Sequence, residues 1–239
     1  MKPWLLCTLA VALLTPVACR RADSQAALAA QQAAGEQAAG EAGKAFDAAV
    51  AQQNWALAKA QADVLLAQYP GTRSAERVRA QFGEVKAKAD AAREQSRTAA
   101  LWSYNVEPVK GGTQLSAAIY ARDDIDVDGS GAKQVRLIFR DHPSWGRSAY
   151  LVLQAGDFNC YGGCKVKMTV DDAAPEAMAA SRPKTDAAIA MFIEDERALW
   201  RLTRGAKVIR IEFPVKPSGT RTAVFEVGGL DRAKLPGWD

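Results

Sequence analysis

The chain has 239 residues, with 31 basic and 27 acidic side chains and a single histidine, so its formal net charge is only +4. No segment forms the clustered basic face that nucleic-acid binding needs, and nucleic acid is excluded as a partner class. With four cysteines and one histidine, a structural zinc site would lack ligands, and no cofactor is expected.

Residues 1–18 have the three-part layout of a secretory signal: Lys2, an apolar run from Leu5 to Leu14 broken only by Thr8, and small residues ending at Ala18. The run is shorter than the roughly 20 apolar residues that span a bilayer. Val17-Ala18-Cys19 resembles the lipobox of bacterial lipoprotein precursors, although Pro16 stands where that family usually has an aliphatic residue. The resemblance implies a diacylglycerol on the Cys19 thiol and a further acyl chain, such as palmitate, on its amine. Several chains together give stable anchoring, because each buried methylene contributes about 0.8 kcal/mol. Arg20-Arg21 follow with no aspartate, which by resemblance to Gram-negative sorting implies the outer membrane, facing the periplasm. The alternative is an ordinary cleaved signal with an incidental Cys19, and a soluble periplasmic or secreted protein.

From Arg20 to Ala100 about one residue in three is alanine, with many Gln, Glu and Lys, a helix-forming mixture. Residues 19–43 contain Gly35, Gly40 and Gly43, and Leu28 is their only large apolar side chain. They read as a frayed helix or tether. Residues 44–100 read as helical. Phe46, Ala49 and Val50 suggest a short helix interrupted near Gln53-Asn54. Trp55, Ala58, Ala62, Leu65, Leu66 and Tyr69 lie on one helical face. Tyr69-Pro70-Gly71-Thr72 is a stop and turn, and Ala75, Val78, Phe82, Val85, Ala89 and Ala92 repeat the spacing. The stretch from Asn54-Trp55 to Gly71-Thr72 resembles the helical hairpins of tetratricopeptide-like envelope lipoproteins, which implies a partner-binding or packing role.

Residues 101–239 shift to alternating Val, Ile, Tyr, Phe and Thr. Strands are predicted at 102–109, 113–121, 135–140, 148–154, 165–170, 207–215 and 221–227. The last two form a hairpin around Pro217-Ser218-Gly219. One helix is predicted from Thr185-Asp186, carrying Ile189, Phe192, Ile193, Leu199 and Trp200 and stopping at Gly205. Short turns between successive strands point to an antiparallel arrangement. The predicted class is α+β: an N-terminal helical hairpin or stalk, then an antiparallel β-sandwich with one inserted helix.

Trp102/Tyr104, Phe158/Cys160/Cys164/Val166, Ile211/Glu212 and Phe225/Val227/Gly229/Leu230 form a pattern that resembles a loose group of envelope β-sandwich proteins. That group includes uncharacterised lipoproteins and secretion-system accessory proteins. The pattern constrains fold more than function; because no catalytic constellation stands out in the sequence, the functional reading is a non-enzymatic, lipid-anchored envelope protein that binds a protein or envelope component through its sandwich. The alternative is an immunity or secretion-accessory lipoprotein, and a third reading is a calcium-dependent hydrolase.

Cys160 and Cys164 bracket Tyr161-Gly162-Gly163. Redox motifs use two intervening residues, so a structural disulfide in an oxidising compartment is the reading. Asp124, Asp126 and Asp128 followed by Gly129 resemble the front of a calcium loop, but the twelfth position is Val135 rather than a bidentate glutamate. The competing reading is a polar hairpin turning at Asp128-Gly129. His142 lies near Asp141 and Ser144 but lacks a nucleophile elbow, and reads as an ordinary loop histidine. Asp171-Asp172 and Glu194-Asp195-Glu196 read as solvated edges. Trp145 and Tyr161 are candidate exposed aromatics for partner binding. The anchoring reading predicts that Cys19→Ala abolishes labelled palmitate incorporation and releases the protein from membranes, or blocks its maturation. A variant that still carries the label and fractionates with the outer membrane would overturn it.

Overall fold

A computed structural model describes residues 17–185, 188–217 and 219–239, with side chains described from residue 24 onward. Residues 1–16 of the expected signal segment, and the Cys19 side chain, lie outside the described residues. The chain divides into two compact units, one ending at Ala92 and the other spanning Arg93–Asp239. The compositional change near residue 100 falls slightly later than this boundary, because the last helical turns belong to the second unit.

The first unit is built on α1 (Val17–Ala51), α2 (Trp55–Gln68) and most of α3 (Arg73–Ala99). Helix α1 runs unbroken through residue 43, where the sequence reading divides a tether from a helical region. Alanine is enough to give it a buried face: Ala39 and Ala49 pack with Phe46, Leu65, Val78 and Val85. A methyl group at Gly43 would lie 3.0 Å from Arg77 Nη2 and 3.3 Å from Ser74 Oγ, a measure of how closely α1 and α3 approach. The predicted break near Gln53-Asn54 is present. Gln53 has φ 54°, and the Asn54 side chain accepts from the Leu57 N–H (3.2 Å), capping α2. Thr72 caps α3 in the same way, accepting from the Ala75 N–H at 3.3 Å. Among the described residues no helix is long and apolar enough to cross a membrane.

Among its described residues the second unit contains nine strands. They are β1 (Trp102–Val109), β2 (Gly112–Tyr120), β3 (Val135–His142), β4 (Gly146–Leu153), β5 (Cys164–Val170), β6 (Glu176–Ser181), β7 (Ala190–Ile193), β8 (Ile209–Pro214) and β9 (Thr220–Phe225), with α4 (Glu196–Leu202) inserted between β7 and β8. They form one antiparallel sheet in the order β1-β2-β3-β4-β7-β6-β5-β8-β9. Inward-facing residues of both wings, such as Leu137, Phe139 and Leu151 on one and Ile211, Phe213 and Phe225 on the other, share a single core. The Arg122 N–H, just past β2, donates to Val224 O on β9 (2.7 Å), so the segment after β2 reaches the far edge strand and the sheet curls over that core. Phe139 lies edge-on to Trp200 and Trp238, with ring centroids 5.1 and 5.4 Å apart.

Two expectations are corrected here. The helix predicted from Thr185-Asp186 is a strand followed by a shorter helix. Residues 190–193 alternate between half-buried and buried, the strand period, and Asp195 caps α4 by accepting from the Ala198 N–H at 2.8 Å. Strand β6 was not anticipated. Its alanine-rich sequence carries little strand propensity, and the alternate burial of Met178 and Ala180 holds it between β5 and β7.

The end of α3 is fastened within the second unit. Arg97 forms a forked ion pair with Glu226, with nitrogen–oxygen distances of 2.6 and 3.2 Å. Beside it, Gly229 packs on the helix end so tightly that an added methyl would lie 2.1 Å from Ala99 N and Thr98 C. Backbone cannot yield as a flexible side chain does. We therefore expect Gly229→Ala to cost about 3 kcal/mol in urea unfolding, the upper range of overpacking. Gly228→Ala, whose methyl would meet nothing nearer than 3.5 Å, should cost under about 1 kcal/mol. Equal costs at the two positions would contradict this assignment.

Candidate functional site

The outward face of β2, β3, β4 and β7 combines arginines with aromatic rings. Strand alternation turns Leu137, Phe139, Ala149 and Leu151 into the core and sends Arg136, Ile138, Arg140, Tyr150 and Phe192 to the other side. The register then sets Tyr120 opposite Arg136, Ile138 opposite Tyr150, Arg140 opposite Ser148, and Tyr150 opposite Phe192. The Arg136 guanidinium carbon lies 5.0 Å from the Tyr120 ring centre. Arg140 lies between two rings, 5.3 Å from Tyr150 and 5.5 Å from Trp145. Neither arginine forms an ion pair among the described residues, and the Nε of each is buried without a hydrogen-bond partner.

Trp145 is presented at the β3–β4 turn. His142, the last residue of β3, is 7% exposed and stacks on Trp145 with ring centres 3.9 Å apart and planes 14° from parallel. Its Nδ1 accepts from the N–H groups of Ser144 (3.0 Å) and Trp145 (3.3 Å). The only histidine is thus a turn-capping acceptor rather than a loop side chain, and Gly146 closes the turn with φ 71°. Trp145 itself remains 71% exposed. The sequence singled out Trp145 but not Arg136 and Arg140, which share its face only through strand register.

Tyr161, the other predicted aromatic, is 66% exposed in the loop closed by the Cys160–Cys164 disulfide. Its ring lies 5.7 Å from the Arg182 guanidinium, and among the described residues it makes no contact with Trp145. Beneath it the Asp157 carboxylate joins three segments. It pairs with the buried Arg182 after β6, accepts from the Ala188 N–H (3.0 Å) before β7, and pairs with Lys216 (2.7 Å) after β8. The Asp157 backbone O also accepts from the Lys216 N–H at 3.0 Å.

The aspartate loop is held by hydrogen bonds to its own backbone. Asp126 accepts from the Gly129 N–H (2.7 Å) and Asp128 from the Ser130 N–H (3.0 Å), while Ile125 and Lys133 form a bridge across the hairpin. The Ser130 hydrogen bonds hold the Asp128 carboxyl below its usual range. Among the described residues no three His, Cys, Asp or Glu side chains gather closely enough to hold a metal ion. Asp171, at φ 47°, accepts from the Lys207 and Val208 N–H groups and orders a turn. A shallow depression of about 570 Å³ beside β6 and α4 is lined by Glu176, Glu194 and Asp195, the last of which caps α4.

No protein-family model and no curated protein matches this chain. Among solved structures, the chain is similar to the crystal structure of invasion associated protein B from Bartonella henselae. The match has 15% identity over 58% of this chain and 91% of that one, with a TM-score of 0.39.

Burial alone would raise the Asp157 pKa, but hydrogen bonds from Lys216, Ala188 and Arg182 outweigh it and hold the carboxyl below its ordinary value near 3.8. A carboxyl depressed in the folded state stabilises it above the unfolded pKa, and that contribution fades as pH falls from about 3.8 through the lower folded value. Urea midpoints should therefore fall more steeply below pH 4 in the wild type than in Asp157→Asn. At pH 7 the substitution should cost about 3 kcal/mol, because it removes a carboxylate facing a buried guanidinium. Parallel acid profiles for the two proteins would refute this account.

Proposed function

We propose that this protein is a lipid-anchored, non-enzymatic binding module of the bacterial envelope, and that the outward face of β2, β3, β4 and β7 is its contact surface. One observation carries the reading: Trp145 stands 71% exposed beside Arg140 and in line with Arg136, two arginines that form no ion pair among the described residues. Exposed tryptophan and arginine are the side chains that dominate binding energy at protein interfaces. Guanidiniums held over rings can still meet carboxylates, which they grip through two parallel hydrogen bonds. The complementary partner is a protein surface that offers acidic side chains around an apolar contact. The Cys160–Cys164 disulfide supports a compartment outside the cytoplasm, where such bonds persist.

The test is capture of envelope proteins on the purified chain, with the wild type compared with Trp145→Ala and Arg140→Gln. A specific partner should lose at least 10-fold in affinity to each variant, about 1.4 kcal/mol or more. Thermal unfolding should meanwhile stay within a few degrees of wild type. Undiminished binding by both variants would remove this face from the function. Degradation of peptidoglycan that is lost on Glu176→Gln or Glu194→Gln would replace the reading with an enzymatic one.

A further inference from the structure

A second feature lies apart from this face, where α4 and the C-terminal turns meet the core side of β4. Three arginines project from α4 and the residues just after it, Arg197, Arg201 and Arg204, and they line a cleft of about 220 Å³ together with Arg147 of β4 and Arg232. Trp200 and Trp238 complete its walls. Trp200 is held rigidly. It is buried in the core, its indole N–H donates to Asp239 (3.1 Å), and the Arg232 guanidinium lies 4.2 Å over its ring. Arg232 also donates to Trp200 O (3.1 Å) and Thr203 Oγ1 (2.9 Å), so its position is set by the fold.

The charges do not balance. Among the described residues, five guanidiniums are met by two side-chain carboxylates. Asp239 pairs with Arg232 and Arg204, and Asp141 lies 3.8 Å from Arg147. Arg197 and Arg201, one helical turn apart and both exposed, form no ion pair among the described residues. Like charges at this spacing repel and weaken a helix by a few tenths of a kcal/mol. Hydrogen bonds from Arg232 and the Trp200 indole hold the Asp239 carboxyl at a pKa of about 2. In addition, the buried Trp238 Nε1 has no hydrogen-bond partner.

We infer that this cleft binds a phosphate group carried on a small molecule or lipid headgroup. The volume decides the size of the ligand. Sites for drug-sized molecules run from about 300 to 1,000 Å³, so this cleft admits a single oxyanion and leaves the rest of the ligand in solvent. The charge decides its class. A phosphomonoester carries nearly two negative charges near neutral pH and offers three oxygens to several forks at once, whereas one carboxylate would leave most of the excess uncompensated.

The experiment titrates the full chain with inorganic phosphate at constant ionic strength and follows tryptophan fluorescence, with acetate in parallel. A second arm uses water-soluble dihexanoyl phosphatidic acid. Saturable binding of phosphate, at least 10-fold tighter than acetate, is expected. Arg197→Gln/Arg201→Gln should weaken it at least 10-fold without lowering the melting temperature, because both side chains are exposed. Phosphate binding with no gain from the lipid identifies a soluble phosphorylated ligand, and tighter lipid binding identifies a headgroup. Absence of saturation, equal affinity for acetate, or undiminished binding by the double variant would each overturn the assignment.

Discussion

The Asp157 carboxylate is the constraint on which the second unit turns. The loops after β4, β6 and β8 converge on it: one carboxylate faces Arg182, Lys216 and the Ala188 N–H. The neighbouring backbone then continues the junction: Phe158 bridges to Val215, and the Asn159 N–H donates to Pro214 O at 3.1 Å. The disulfide begins one residue later, so it closes a loop whose base is already fixed. Its own chain-entropy contribution is small, because the closed loop is short.

This arrangement explains why the disulfide loop is a platform rather than a hinge. Cys160 is buried while Tyr161 is exposed, and Arg182 lies beneath the tyrosine ring. The turn at His142 uses the same device on another strand pair, with a buried polar acceptor holding an exposed aromatic in place. Rigid aromatics lose little conformational freedom on binding, so presentation of this kind raises the affinity that each contact can reach.

Much of the β unit was legible in the sequence because its strands have one wet and one dry face. The 135–140 and 207–215 runs announce themselves by alternation. Strand β7 was misread because Ile189, Phe192 and Ile193 fall at helical spacing and continue smoothly into Leu199 and Trp200. The break between strand and helix is marked only by Asp195. Strand β6 was missed because alanine signals neither periodicity nor propensity. The same limitation hid the buried face of α1, where Ala39 packs as fully as Phe46. Trp145 and Tyr161 were visible as lone aromatics in turns. The arginines beside Trp145 required strand register, and the arginine cleft gathers residues from β4, α4 and the C-terminal turns that no local pattern connects.

The two margins of the sheet are unlike. At β9 the Arg122 N–H already takes the Val224 carbonyl, and Arg221 is tied to Asp126 O (2.5 Å), so the intervening loop lies along that border. At β1 no such backbone bond is present among the described residues, and Val106 is 67% exposed. Fibre growth by edge pairing needs two free borders on every copy, one to give and one to receive. A molecule with one free border can pair only like to like, through a two-fold axis, and such an assembly is complete at two. Pro108, which has no N–H to donate, shortens even that border.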